Sequence, residues 1–141
     1  MTSENLQKLA GIKHLKAEAP NRREFEGLVR SGRTRLLDAK KTTLALESRF
    51  DLAYNAAHAL SLAALRRQGY RSENRYIVFQ CLPHTLGLGP EDWRVLALAH
   101  ERRNAAEYSG DLQVDKQLLA DLLRVTALVL ARLDALGPLK P

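Results

Sequence analysis

The sequence predicts an all-α protein, an up-and-down antiparallel bundle of four to five helices, and three observations carry that reading. Aromatic residues make up only 6% of the 141 residues, while leucine and alanine abound. Strands draw instead on β-branched and aromatic residues. Apolar residues recur at three- and four-residue spacing over most of the chain, the period of a helix with one face turned inward. Glycines, prolines and capping residues fall mostly between those periodic segments. A chain of this length is expected to be one domain with a core of its own.

Residues 1–20 read as an N-terminal helix or loosely held arm ending at Pro20, and residues 21–137 as the bundle. Asn21 is a good N-cap for a helix whose inward stripe is Phe25, Leu28, Val29, Leu36 and Ala39. Gly32 falls on that stripe, where the missing side chain lets a neighbouring helix approach closely. From about Thr43 to Gln68, residues Leu46, Phe50, Ala53, Ala57, Leu60 and Ala64 repeat at helical spacing, and Gly69 supplies the stop. Ser72 is placed to cap a shorter helix over ENRYIVFQCL, which Pro83 and GLGP disrupt. Its run YIVF also has strand character.

Gly89-Pro90-Glu91-Asp92 opens the next helix, with proline and acids in the first turn, and Ser109-Gly110 closes it. The last helix, from about Val114, carries Leu118, Leu122, Val125, Val129, Leu133 and Leu136, the seam of an antiparallel bundle or of a dimer. Gly137-Pro138 ends it.

Composition narrows the function classes. One cysteine, Cys81, excludes an intramolecular disulfide and fits a reducing cytoplasm. His14, His58, Cys81, His84 and His100 show no zinc-ligand spacing, and no metal or cofactor is expected. No apolar run approaches the ~18 residues of a membrane span, so the chain reads as cytoplasmic with no membrane contact. There is no glycine-rich phosphate loop and no Ser-His-Asp arrangement. The formal charge of +6 permits a polyanionic partner. Arg22, Arg23, Arg30, Arg33 and Arg35 form one basic group and Arg66, Arg67, Arg71 and Arg75 another. Either group could follow a phosphate backbone or simply solvate a helix face.

The densest polar run is HERRNAAEY, His100–Tyr108. On a wheel of about 100° per residue with Arg103 at zero, Leu96 falls near about 20°, Glu107 about 40°, His100 about 60°, Trp93 about 80° and Asn104 about 100°. Tyr108 sits at the edge of that arc. These polar residues therefore continue the stripe begun by Trp93 and Leu96, which should face the bundle. Arg103 and Glu107 are four apart and can pair along the helix. His58, with Tyr54 and Asn55 beside it, is either a packed histidine or part of the same cleft.

The stretch DLAYNAAHALSLAALRRQGYR, then a further helix, then RNAAEY before a long last helix, resembles the HEPN superfamily of small prokaryotic helical bundles over roughly residues 21–136. The resemblance implies a homodimer. It also implies a signature of arginine, a polar residue and, after four to six intervening positions, a histidine. In active members of that family this pair cuts RNA without a metal. Others are inactive partners of nucleotidyltransferases or nucleic-acid-binding modules. Arg103 and Asn104 match the start of the signature, but Tyr108 stands where the histidine is expected, and no histidine follows His100. A tyrosine with a pKa near 10 is a poor base at neutral pH.

The expectation is thus a non-catalytic RNA- or nucleotide-binding module, or a toxin–antitoxin-type protein, with a polar cleft of Arg103, Asn104, Glu107, Tyr108, His100 and His58. One alternative is an interaction partner for a protein from a neighbouring gene, its polar network purely structural. The other is a metal-independent endoribonuclease using Arg103 with His100 or Tyr108.

Overall fold

One helix is wrapped by the others, and the chain's small residues explain how. The computed structural model describes residues 3–11 and 14–139. In chain order they form α1 (Ser3–Gly11), β1 (Lys16–Ala17), α2 (Arg22–Ala39), α3 (Leu46–Arg67), β2 (Tyr70–Arg71), α4 (Arg75–Gln80), α5 (Leu82–Thr85), α6 (Pro90–Ser109) and α7 (Lys116–Leu136). The four long helices α2, α3, α6 and α7 make the all-α bundle that the periodicity predicts. No helix among the described residues is long and apolar enough to cross a membrane.

Helix α3 is buried on nearly all sides. Its expected stripe of Phe50, Ala53, Ala57, Leu60 and Ala64 is buried, and so are Tyr54, Ala56, Ala59, Ala63 and Leu65. A helix apolar all round belongs inside a core, and alanines let α2, α4 and α7 come close to it. The tightest approach is at Gly32. A methyl group there would meet Leu60 Cγ at 2.5 Å and the Ala56 carbonyl oxygen at 3.3 Å. The seam of α7 is consumed within the chain: Leu118, Leu122, Val125, Val129 and Leu133 join the main core, while Leu136 lies exposed at the helix end.

Local signals set the helix ends. The Asn21 side-chain oxygen accepts the Glu24 N–H at 2.9 Å, and the Asp115 carboxylate accepts the Leu118 N–H at 2.7 Å. Gly69, at φ 88°, and Gly110, at φ 71°, take the left-handed conformation after α3 and α6.

One open reading is resolved and two expectations need correction. The N-terminal segment, read as a helix or a loosely held arm, carries α1, and Leu6 and Leu15 are buried with Leu65, Val78 and Cys81 in a second core. Lys16 and Ala17 also pair antiparallel with Arg71 and Tyr70. The cap of α4 is Asn74, whose side chain accepts the Ile77 N–H at 3.2 Å; Ser72, before the cap in the chain, instead accepts the Asn74 N–H at 3.1 Å. The YIVF run is helical, as the reading of ENRYIVFQCL expects, and its burial of Val78 and Phe79 against other helices outweighs its strand propensity. Pro83 does not break a helix but sits in the first turn of α5, the position it tolerates.

Arg66 is only 2% exposed. It donates to the carbonyls of Glu18 at 2.9 Å and Ala19 at 2.7 Å and pairs with the carboxylates of Glu24 and, at 3.3 Å, Glu18. Arg71 bonds the same two carboxylates, Glu18 at 3.0 Å and Glu24. Arg67 donates to the carbonyls of Gly137 and Leu136. Three of the four arginines of that basic group are thus structural. On α2, Arg33 pairs with Asp134 at 2.7 Å and Arg22 with Glu26 at 2.9 Å.

This packing and this ion cluster can each be tested by substitution. Gly32→Ala should lower the free energy of unfolding by about 1–3 kcal/mol, because Leu60 must shift and the α2–α3 contact opens. Urea unfolding should show the midpoint fall with the slope unchanged. Arg66→Ala should cost about 1–3 kcal/mol, since it removes the donors to the Glu18 and Ala19 carbonyls and leaves Glu18 and Glu24 with Arg71 as their guanidinium partner. Burial alone would raise the Glu24 carboxyl, but hydrogen bonds and charge from Arg66 and Arg71 outweigh it and hold it below its ordinary 4.5. The ionised form is therefore favoured in the fold. Its stabilisation is complete above pH 4.5 and is lost as pH falls through the depressed value. Glu24→Gln should flatten that acid limb in a pH series of unfolding midpoints.

Candidate functional site

The polar run predicted on α6 meets α3 and α4 around one buried phenol, Tyr54. The 3.6-residue repeat brings Trp93, His100 and Arg103 to the same side of α6, and of the apolar residues on that helix only Leu96 and Ala99 are fully buried. Helix α4 contributes Arg75, Tyr76 and Phe79.

The Tyr54 hydroxyl and His100 Nδ1 are 2.9 Å apart, and Asn104 Nδ2 lies 3.0 Å from His100 Nε2. With the amide nitrogen donating to Nε2, the ring proton sits on Nδ1 and is donated to the phenol oxygen. Turning the amide over exchanges those roles and leaves the imidazole neutral. Around the phenol, the Arg103 guanidinium lies over the ring at 4.9 Å from its centroid and the Arg75 guanidinium at 5.5 Å. Arg103 Nε donates to Asp51 at 3.4 Å, and Nη1 is 3.6 Å from Glu107. Arg75 donates to the Asn55 side-chain oxygen at 3.0 Å and has no carboxylate partner among the described residues.

Rings fill the space between α4 and α6. Phe79 packs edge-on against Tyr54 at 5.8 Å and lies 6.3 Å from His100. Tyr76 is 5.8 Å from His100 and 6.3 Å from Trp93, meeting the indole at 65°. His58 meets Phe79 edge-on at 6.2 Å.

This environment disfavours every added positive charge. Burial pushes the His58 imidazole down to about 4, with the charges of Arg75 and Arg103 adding to the effect. Burial and then the same two arginines lower His100. Burial raises the Tyr54 phenol, partly countered by Arg75 and Arg103.

The six sequence candidates divide clearly. His100 and Arg103 are half-buried at the centre, and Glu107 and Asn104 are exposed at the rim, each touching one of them. His58 is half-buried and touches the site through the ring of Phe79. Tyr108 is 93% exposed and takes no part, because its wheel position turns it away from Arg103. The sequence did not assign Asp51, Arg75, Tyr76 or Phe79 to this place, and no motif links α4 to α6. Beside Arg103 lies a shallow hollow of about 220 Å³ between Phe50, Asp51 and Glu107. A larger one of about 550 Å³, lined by Phe25, Val29, Arg33 and Asp134 between α2 and α7, holds none of the candidates.

Compared with family models, with curated proteins and with solved structures, the chain gives no match.

The depressed His58 fixes a pH dependence. Unfolding frees an imidazole of ordinary value 6.5, so the neutral ring's contribution is whole above pH 6.5 and is lost as pH falls toward about 4. In an NMR titration the His58 ring resonances should stay fixed until close to pH 4. Movement centred near 6.5 would mean an open, hydrated site.

Proposed function

We propose that the protein is a HEPN-like helical bundle that binds RNA or a nucleotide through its phosphates and does not cut it. The observation that carries this reading is the pair of guanidiniums, Arg75 and Arg103, gathered within 5.5 Å of the centroid of one buried tyrosine ring. Two like charges so placed repel each other, and they add to the burial that already holds the two neighbouring histidines toward neutrality. The answering carboxylates, Asp51 and Glu107, reach only Arg103, at 3.4 and 3.6 Å, and both are exposed. A phosphate offers both arginines a stronger, forked partner than those contacts do. The chain's +6 charge steers a polyanion toward it.

The same geometry favours binding over cleavage. A general base needs a free nitrogen within reach of the proton it removes. Both nitrogens of His100 are already engaged, by Tyr54 and Asn104. Tyr108 stands clear of Arg103 and adds no base.

A second reading has its own observation. The Arg103–Asp51 contact joins α6 to α3, as it would in an interaction module whose polar network is purely structural. One titration separates the two readings. Labelled single-stranded RNA and nucleotides are followed by anisotropy across a salt series. Phosphate binding predicts affinity falling steeply with salt. Arg75→Ala and Arg103→Ala should each weaken binding and reduce the salt slope by about one. Asp51→Asn should tighten it, and the RNA should remain intact on a gel. A structural network predicts no binding at low salt, with Arg103→Ala and Asp51→Asn both lowering the thermal midpoint.

A further inference from the structure

We infer that the ligand is a single-stranded nucleic acid and that Trp93 and Tyr76 form the platform on which one of its unpaired bases stacks; this rests on the phosphate-binding reading above. Cations and rings run together along α6. Arg103 and Arg75 lie at the Tyr54 end, His100 and Tyr76 in the middle, and Trp93 at the other end, each ring within 6.3 Å of the next. Trp93 and Arg103 are ten residues apart, about 15 Å along the helix axis. That is about four nucleotides at a rise of ~3.4 Å, and fewer if the strand is extended.

The aromatic end has the form a base requires. Trp93 and Tyr76 are both half-buried, so the rings are held in place while part of each meets solvent. They meet at 65°, edge to face, which leaves ring faces that neither covers for the other. Asp92, the carboxylate next to Trp93, is taken up by Arg124 of α7 at 3.0 Å and offers a phosphate little repulsion. Bases in a duplex are already stacked and paired, so a protein that combines cations with ring faces selects unpaired strands.

Trp93 is the only tryptophan in the chain, so its emission reports the platform directly. The full chain is titrated at low salt with single-stranded RNA and DNA of four to eight nucleotides, a blunt duplex and inorganic tripolyphosphate. Saturable quenching by single strands, RNA or DNA, with none from the duplex or tripolyphosphate, is the expected result. By anisotropy, Trp93→Ala should weaken strand binding roughly tenfold, the scale of one lost base stack. Trp93→Phe should keep most of the affinity, and tripolyphosphate should bind both variants like the parent. Suppose instead that strands bind in an Arg75- and Arg103-dependent way with unchanged emission and full affinity in Trp93→Ala. The platform is then wrong and the phosphate reading stands. Quenching by the duplex as strong as by single strands also overturns the platform. If neither strands nor tripolyphosphate bind, both inferences fall.

Discussion

A guanidinium withdrawn from water must be answered by every group around it, and Arg66 imposes that demand where four segments meet. Its partners are two carboxylates and the carbonyls of Glu18 and Ala19, which lie outside any helix or strand. Those carbonyls can be satisfied only if the stretch between β1 and α2 stays where it is. Fixing that stretch fixes Asn21, the cap of α2, and so the position from which α2 begins. The register of α2 then brings Gly32, which has no side chain to clash, opposite Leu60. Charge burial at one end of α3 and close packing at its middle are thus coupled through a single helix start.

The bundle is held unevenly as a result. Helix α3 is buried almost all round, and α7 spends its seam from Leu118 to Leu133 on the core. Helix α6, twenty residues long, buries only Leu96 and Ala99 fully. Polar and aromatic contacts supply what apolar burial does not: Tyr54 to His100, Arg103 to Asp51, Tyr76 to Trp93. The candidate site and the attachment of α6 are therefore the same set of side chains.

How much of this was legible follows from the range of each interaction. Helix periods, the Asn21 cap, the stop at Gly69 and the tight approach at Gly32 are encoded within a few residues of where they act. The polar stripe of α6 was equally local, and it placed His100 and Arg103 correctly at the centre. The burial of Arg66 could not be read, because its partners Glu18 and Glu24 are more than forty residues away and an isolated arginine looks solvated. For the same reason the β1–β2 pair, two residues on each side, left no pattern. Arg75 was visible as a basic residue but not as a neighbour of Arg103, since the docking of α4 on α6 depends on Phe79 and Tyr76 packing across the gap. Tyr108 was placed too near the site because four-residue spacing was allowed to outweigh its wheel position.

Helix α6 also carries an exposed outer face, with Leu98 and Tyr108 open to solvent. A helix anchored by so little buried surface opens before its neighbours do, in a fluctuation that leaves α3 folded. Every contact on its inner face then exists only during the closed fraction of time, and the apparent affinity of whatever bridges α3 and α6 scales with that fraction. Anything that packs against the outer face holds α6 down and raises that fraction without touching the inner one. The two faces of one lightly held helix are thereby thermodynamically linked, with a coupling set by how often the helix lets go.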